Sequence, residues 1–488
     1  MNDLARLDIG GVSVPCGHLI GGSRTGDGDP YEVLSPIDGS VLGHIPSGGP
    51  AEVEAAVAAA SAAFPAWAAL GPEGRSEILD RFAEAIVSRV PDLQVVDCYD
   101  HGALLAGRAG HGMPRAALNI KFFSDWARSM EHPVIDGAEV SNSVRFDPAG
   151  VAALIVPWNA PLMLGTWKIG PALAAGNTVV VKPPEFAPFS LSLLGEIAQQ
   201  AGMPDGVLNI VHGTGASAGD ALVRHPKVSR ISFTGSPATA RVIGGAAAAN
   251  LTPVSFELGG KSPFVVCADA DLKAAARTIG VQFMNAGQVC LAGTRLLIEE
   301  SIVDELLSMV LAEVDKMVVG DPREPGTRVG PLIHPTHFAK VKGLVERAIA
   351  GGARVLCGGG PHPDGGLYFL PTILTDVEQR SEIVQTEVFG PVLTLQTWSD
   401  EHEMITLAND TIYGLAATVF TTDAERAERI TSQLVAGTVW TNCFYVRDLA
   451  APFGGSRQSG IGREGGTWSF DFFCDIKNIA TRKGTLTA

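Results

Sequence analysis

A cysteine and a glutamate in glycine-rich surroundings are the residues of this chain best suited to chemistry. Cys290 lies in FMNAGQVCLAGTR, a turn of small residues between a predicted helix and a β-branched strand, where a sulfur atom stays accessible. Glu257 lies near the end of the apolar strand PVSFEL, whose burial would raise its pKa and suit a general base near neutral pH. A thiol nucleophile and its base are one hypothesis. A small core cysteine and a glutamate paired with Lys261 are the alternatives.

The elements that would position these residues alternate regularly along the chain. Short β-branched runs and helical patterns follow one another from about residue 147, in the order of βαβ units. The predicted strands are 151–156, 178–181, 207–211, 230–233 and 253–258, and the predicted helices are 166–175, 189–202, 215–224 and 236–250. After residue 260 the alternation restarts with strands at 264–268 and 294–300 and helices at 271–287 and about 302–318. This order is typical of an α/β fold with two doubly wound parallel sheets.

Composition and charge narrow the classes of function. The 488 residues are 46% hydrophobic and carry a formal net charge of −16, which repels nucleic acid phosphates and anionic membrane surfaces. The sequence therefore predicts neither nucleic acid nor membrane as a partner. Seven cysteines without a C-x-x-C pair indicate reduced thiols rather than a disulfide framework or a metal site. Together with an N-terminus that has no apolar leader, MNDLARLDIGG, they predict a cytoplasmic protein.

Taken together, the motifs resemble those of the aldehyde dehydrogenase superfamily. FELGGKSP, followed about thirty residues later by GQVC, is similar to the family's paired signatures, and four further matches occur in the family's order: PWNAPLMLGTWKIGPALAAGNTVVVKPPE, FTGSPATA, EVFGPV and PFGGSRQSGIGRE. The resemblance implies oxidation of an aldehyde through a thioester on Cys290, which water activated by Glu257 hydrolyses. It also implies that Asn159 and the backbone N–H of Cys290 donate to the substrate oxygen, and that Lys168 and Glu464 relay protons. Considered alone, Asn159 is an ordinary turn residue, and lysine and glutamate are ordinary surface residues.

The resemblance also implies a dinucleotide site. RISFTGSPAT is a strand followed by a helix whose start presents free N–H groups to a pyrophosphate, although an ordinary capped helix is the alternative. Lys182 and Glu185 match the residues that hold the adenine ribose, and the carboxylate would repel a 2′-phosphate. NAD is therefore the predicted cofactor, with NADP as the alternative. Glu387 and Phe389 match residues at the nicotinamide, with a salt bridge and a core aromatic as their alternatives. The expected cofactor-binding residues are Val156, Trp158, Lys182, Glu185, Gly213, Gly235, Ser236, Leu258, Gly259, Glu387 and Phe389.

Two arginines bear on the substrate. Arg447 lies six residues before Phe453, where many family members have an aromatic pocket wall, and Arg115 occupies a position that is usually apolar in the family. Two cations at one pocket predict a substrate that carries a carboxylate, because each guanidinium can donate two parallel hydrogen bonds. The phrases VRDL…PFGG and GREGGTWSFDFFCDIKN resemble the hydroxymuconic and aminomuconic semialdehyde dehydrogenases. Trp167 and Leu291 complete the predicted substrate residues.

Several alternatives stay open. Arg447 could instead pair with Asp448, and Arg115 could lie on a helix surface. The small Ala160 widens the predicted pocket, so an aromatic aldehyde such as benzaldehyde is an alternative substrate. A CoA-acylating relative would typically lack the acid at Glu257. A non-catalytic binding or structural protein of the same fold is the alternative from a different class.

The resemblance finally implies a division into domains. An NAD-binding domain comprises 1–125 and 147–257, a catalytic domain comprises 258–469, and a small β oligomerisation arm comprises 126–146 and 470–488. In the family this arm joins subunits, which predicts a homo-oligomer, either a dimer or a tetramer. A loop and a frayed tail are the alternative for the two arm segments.

Overall fold

Two large, mainly parallel sheets and one small antiparallel sheet organise the chain. A computed structural model of the protein describes residues 6–105 and 112–484, so positions 1–5, 106–111 and 485–488 of the predicted domains lie outside the described residues. Within the described ranges, no single helix has the length and apolar composition of a membrane span. Only the pair Pro50–Ala69 and Gly71–Ser88, bent by 114° at their junction, meets those criteria together.

The first sheet has eight strands, of which the five central ones are parallel. From edge to edge they are Gly460–Ile461, Val254–Leu258, Val228–Gly235, Val151–Ile155, Thr178–Lys182, Leu208–Ile210, His18–Ile20 and Ser23–Thr25. After Val151–Ile155, the next two strands, Thr178–Lys182 and Leu208–Ile210, are added on one side of it. The following strand, Val228–Gly235, pairs with its other side. The strand order therefore reverses between Val151–Ile155 and Val228–Gly235, which is where open α/β sheets bind ligands. Strands such as Val151–Ile155 are buried along their whole length, which explains their continuous apolar sequence.

Helices cover both faces of the first sheet. They are Pro50–Ala69, Gly71–Ser88, Val90–His101, Gly112–Ser129, Pro161–Ala174, Phe189–Gln200, Asp220–Arg224 and Pro237–Ala248, with a π-helical turn at Gly215–Gly219. Two hairpins precede them: Arg6–Ile9 with Val12–Pro15, and Pro30–Leu34 with Val41–Pro46. The helix predicted at 166–175 begins five residues earlier, because Pro161 occupies its first turn, where a missing N–H is tolerated.

The second sheet has seven strands, all parallel except the first. They are Arg354–Cys357, Thr372–Thr375, Val392–Trp398, Arg295–Glu299, Pro263–Val266, Ala416–Phe420 and Thr438–Thr441. Its helices are Leu272–Val281, Val303–Val314, Pro335–Ala350, Glu382–Gln385, Glu401–Asn409 and Ala424–Thr431, and its 3₁₀ turns are Met284–Gly287, Glu300–Ile302 and Arg457–Ser459. The prediction of two doubly wound sheets is thus confirmed. The helix predicted at 271–287 ends earlier, at Val281, and the separate 3₁₀ turn Met284–Gly287 follows it, with left-handed Asn285 and Ala286.

The third sheet is the small antiparallel one. It pairs Cys474–Arg482 with Val140–Pro148, which pairs in turn with Val134–Asp136. The helix Gly466–Phe473 leads directly into the strand Cys474–Arg482 of this sheet. The helix Gly112–Ser129 includes residues 126–129. The frayed-tail alternative is wrong for 474–482.

Candidate active site

Cys290 lies in a tight turn between the two large sheets. The turn follows the left-handed residues Asn285 and Ala286, with φ of 52° and 54°, a conformation that costs energy in residues other than glycine. Asn285 holds this loop to a neighbouring one, since its Nδ2 donates to the carbonyl of Asn159 at 2.9 Å. Cys290 itself is half-buried and lines a cavity of about 730 Å³. The alternative of a sealed core cysteine is therefore wrong.

The thiol of Cys290 is neutral at rest. Burial, reinforced by the negative charges of Glu387 and Glu257, raises its pKa to about 12, whereas the charge of Arg447 lowers it. A neutral thiol is a poor nucleophile, so the site needs a base to remove its proton.

Glu257 supplies a carboxyl group to the same cavity. It is 5% exposed, and neither of its carboxyl oxygens has a hydrogen-bond partner among the described residues. Burial, followed by the charge of Glu464, raises its pKa well above the ordinary value. The alternative pairing with Lys261 is wrong, because no ion pair joins the two side chains. Such a carboxyl is poised to exchange a proton with a bound molecule.

Asn159 lies near the end of the loop between the strand Val151–Ile155 and the helix Pro161–Ala174. Its Nδ2 donates one hydrogen bond to the carbonyl of Gln288, at 3.0 Å, which leaves the second N–H of the amide for the cavity. Gln288 is itself fixed, since its Oε1 accepts from the backbone N–H of Ile333 at 3.0 Å. The Asn159 amide is thus held by Gln288 in the cavity that Cys290 also lines.

Lys168 and Glu464 meet in the interior, 296 residues apart in sequence. Lys168 Nζ donates to Glu464 Oε1 at 3.0 Å and to Ser232 Oγ at 2.9 Å, and the indole of Trp167 donates to Glu464 Oε2 at 2.6 Å. Their reading as surface residues is wrong, since both are buried. Glu464 lines the cavity and is near enough to Glu257 to influence its pKa. The hydrogen-bonded pair of Lys168 and Glu464 therefore lies near Glu257 but has no hydrogen bond to it.

Arg447 and Arg115 also line this cavity. The guanidinium carbon of Arg447 lies 3.6 Å from the ring centroid of Phe453 and 4.9 Å from that of Trp167. Arg447 has no carboxylate partner among the described residues, so the alternative pairing with Asp448 is wrong. Arg115 is half-buried and donates only to neutral oxygens, the Asn119 side chain at 3.2 Å and the Arg447 carbonyl at 3.4 Å. Two guanidinium groups without a salt-bridge partner among the described residues therefore line one cavity, whose wall also includes Leu291.

The switch point of the first sheet carries the predicted dinucleotide residues. The helix Pro237–Ala248 starts with Ser236 as a cap, whose hydroxyl accepts from Thr239 N at 3.2 Å, directly after Gly235. Val156 is buried at the end of the adjacent strand, and its N–H donates to the carbonyl of Lys182. The exposed helix start leaves N–H groups that fit a pyrophosphate.

The predicted adenine ribose residues also lie together. Lys182 Nζ donates to the carbonyls of Pro183 and Gly213, at 2.7 and 3.1 Å, and keeps one donor free. The Glu185 carboxylate lies 4.0 Å from this ammonium and accepts from the backbone of Gly215. A ribose diol, which both donates and accepts, fits this pair.

A third group of predicted residues lies on the side of Cys290 that faces the second sheet. Glu387 Oε1 accepts from Gly260 N at 3.0 Å, and a side chain at Gly259, next to the buried Leu258, would collide with this carboxylate. Burial raises the pKa of Glu387 to about 7. It forms no salt bridge among the described residues, so that alternative is wrong. Phe389 is half-buried with φ of 58° and packs edge-on against Trp158, so it is not an ordinary core aromatic.

The sequence interpretation missed several supporting residues. A side chain at Gly454, in the PFGGS phrase, would meet Glu257 Oε1 at 2.7 Å, so glycine there makes room for the carboxyl. Tyr445 lines the same cavity as the two arginines. Its backbone is in the left-handed region, with φ of 63°. The paired glycines were a visible signal for close approach, whereas no local pattern marks Tyr445.

Comparison with known proteins shows the family to which this chain belongs. The sequence model of the aldehyde dehydrogenase family matches residues 24–479, and this protein belongs to that family. It is an NAD(P)-dependent enzyme that oxidises an aldehyde.

Individual relatives are similar over nearly their whole length. The chain is 43% identical to a 2-hydroxymuconic semialdehyde dehydrogenase of Pseudomonas sp. (strain CF600), over 95% of this chain and 99% of that one. It is 41% identical to a 2-aminomuconic semialdehyde dehydrogenase of Danio rerio, over 97% of each. A crystal structure of an indole-3-acetaldehyde dehydrogenase in complex with NAD⁺ superimposes with a TM-score of 0.94 at 36% identity, over 96% of this chain and 97% of that one.

Proposed function

We propose that the protein oxidises a semialdehyde that carries a carboxylate, such as a hydroxymuconic semialdehyde, with NAD as the preferred cofactor. The observation that carries this proposal is the pair of unpaired guanidinium groups, Arg115 and Arg447, in the cavity of Cys290 and Glu257. The names of the relatives above support the same substrate class.

The first step is attack of the Cys290 sulfur on the aldehyde carbon. Glu257, in its ionised form, takes the thiol proton, and the carbonyl oxygen gains negative charge. The free N–H of Asn159 and the backbone N–H of Cys290 are the proposed donors to this oxygen, and each such donor lowers the barrier by about 3 kcal/mol. Bound NAD supplies the acceptor for the hydride that leaves the carbon, so the substrate becomes a thioester on Cys290.

The second step is hydrolysis of that thioester. Glu257 removes a proton from water, whose oxygen attacks the acyl carbon, and the sulfur of Cys290 leaves with the bonding electrons. Glu464 and Lys168, hydrogen-bonded to one another, are the proposed route by which the proton leaves Glu257. Trp167 and Ser232 hold this route in place as positioning residues.

The preference for NAD is proposed from the charge of Glu185. Glu185→Gln should lower the ratio of kcat/KM for NAD to that for NADP by roughly tenfold, because removing the carboxylate removes repulsion of the 2′-phosphate. Initial rates with both cofactors measure the ratio. Glu196, whose carboxylate pairs with Arg6 elsewhere, provides a control as Glu196→Gln. An unchanged ratio in Glu185→Gln contradicts the assignment.

The role of Arg447 leads to a substrate-dependent prediction. Arg447→Ala should raise KM for a hydroxymuconic semialdehyde by roughly 10- to 100-fold, the loss expected for one charge-assisted contact, and raise KM for benzaldehyde less than threefold. Steady-state NADH absorbance with both aldehydes measures this difference. Arg447→Lys keeps the charge and loses the two-pronged donor, so an intermediate KM is expected. Equal changes for both aldehydes would favour the aromatic substrate instead.

A homo-oligomer, dimer or tetramer, and a cytoplasmic location complete the proposal. The small sheet exposes Val134, Ile135 and Ile476 at 63%, 62% and 56%, which supports burial of this sheet against another subunit. The boundaries of the three predicted domains stay part of this proposal. Light scattering at micromolar concentration should give at least twice the mass of 50.9 kDa. A monomeric mass contradicts it.

A further inference from the structure

The cavity around Cys290 continues outward to a second set of cations. Arg277, Lys316 and Arg328 line its outer part and are exposed, whereas Arg115 and Arg447 further in are half-buried. Arg277 lies on the helix Leu272–Val281, which leads into the Cys290 turn. Apolar side chains of the same wall, Val281, Met284 and Met317, complete this stretch of lining. The cavity therefore has an outer and an inner group of positive charges.

The charges on this outer wall are unbalanced. Lys316 is neutralised by Glu313 at 2.8 Å, and the acid Asp97 lies 3.6 Å from the imidazole of His101. Arg277 and Arg328 differ, since no described carboxylate pairs with either guanidinium and no described residue accepts a hydrogen bond from it. Most arginines in the described ranges have such partners, as expected in a chain with a net charge of −16. Among the described arginines, Arg277, Arg328 and Arg447 thus lack both kinds of partner, and all three line this one cavity.

We propose that Arg277 and Arg328, here called the outer arginine pair, draw the anionic substrate into the cavity before Arg115 and Arg447 bind its carboxylate. The inference rests on the proposed function, because it requires a carboxylate on the substrate. Cations along a cleft concentrate an anion locally and raise its association rate. An ion pair between exposed groups is weak. The outer arginine pair therefore acts on capture of the substrate and not on the reaction of the bound molecule.

The double variant Arg277→Glu/Arg328→Glu tests this role. At an ionic strength of about 10 mM, where screening extends over about 30 Å, its kcat/KM for a hydroxymuconic semialdehyde should fall roughly tenfold. At about 200 mM salt the loss should shrink to about twofold, because the charges are screened. The value of kcat should be unchanged, and kcat/KM for uncharged benzaldehyde should stay within about twofold of that of the unaltered protein.

A matched control has the same change in net charge. Lys273→Glu/Lys227→Glu reverses two exposed lysines without salt-bridge partners among the described residues, one of them on the helix of Arg277, and neither lines the cavity. It should leave kcat/KM unchanged. The neutral double variant Arg277→Gln/Arg328→Gln should show a smaller loss than the glutamate variant, with an unaltered melting temperature.

The outcomes separate the two proposals. If the unaltered protein does not prefer the anionic aldehyde to benzaldehyde, the proposed function fails, and the role of the outer arginine pair falls with it. If the preference exists but the glutamate variant keeps it at low salt, or the lysine control loses it equally, only the capture role is overturned. A loss that persists at high salt, or that appears in kcat, also overturns the capture role.

Discussion

Cys290→Ala should abolish aldehyde oxidation while leaving NAD binding intact. The covalent step needs the sulfur, and alanine offers no nucleophile, so we expect kcat to fall by at least about 10⁴-fold. The proposed NAD residues, such as Lys182 and Ser236, take their positions from strand ends and a helix start that do not depend on this side chain. NADH absorbance measures turnover, and calorimetric titration with NAD measures binding.

Cys443 provides the matched control for this variant. It is a half-buried cysteine of the same apolar cluster as Cys290, but it does not line the cavity. Cys443→Ala should keep kcat within about twofold of the unaltered value, because a deleted sulfur outside the cavity changes only packing. Full activity in Cys290→Ala, or equal losses in both variants, contradicts the assigned nucleophile.

Glu257→Gln should lower kcat by roughly 10²- to 10⁴-fold, the usual contribution of a general base. The amide cannot accept the proton of water, so the acyl group should remain on Cys290. Rapid mixing at alkaline pH, where more of the thiol ionises, should give a burst of about one NADH per site followed by very slow turnover. Mass spectrometry of the quenched protein should detect the added acyl group. A variant that turns over at the normal rate contradicts the role of Glu257.

The same substitution should stabilise the folded protein above acidic pH. Because burial raises the pKa of Glu257 in the fold, the folded state retains a proton that the unfolded chain loses as pH rises above the ordinary carboxyl value. Stability is therefore greatest below that value and decreases up to the raised pKa. Glutamine removes this decrease, so the melting temperature of Glu257→Gln should exceed that of the unaltered protein by more at pH 8 than at pH 5.

Exposed Glu324 is the control for the stability measurement. Glu324→Gln should show no such growth of the difference with pH, because its carboxyl is in water in both states. Differential scanning calorimetry at both pH values decides between the outcomes. An equal shift at pH 5 and pH 8 in Glu257→Gln would show that its stability effect comes from packing and not from protonation. The gain in stability accompanies a loss of activity, as expected when a catalytic group is held in unfavourable surroundings.

The strands were predictable from local sequence. Runs such as TVVV at 178–181 are apolar along their whole length because both faces of a central parallel strand are buried. This property depends only on neighbouring residues. Glu257 and Cys290 were predicted as base and nucleophile from the resemblance of FELGGKSP and GQVC to family motifs, since local chemistry alone left a salt bridge and a core cysteine as alternatives. Element ends were less predictable, as at Pro161 and at the left-handed Asn285, because they depend on single backbone conformations.

Only the tertiary structure decided which charges are neutralised. Lys168 and Glu464 have the residue types of a surface, yet they meet in the interior although they lie 296 positions apart in the sequence. Arg447 adjoins Asp448 in sequence but packs instead on Phe453 and Trp167, which leaves its guanidinium without a salt-bridge partner among the described residues. The sequence by itself determined the fold class, because strand and helix patterns are local, and the family resemblance of its short motifs predicted Cys290 and Glu257 as nucleophile and base. Which charged side chains near Cys290 and Glu257 have a salt-bridge partner depends on distant segments that meet only in the folded chain.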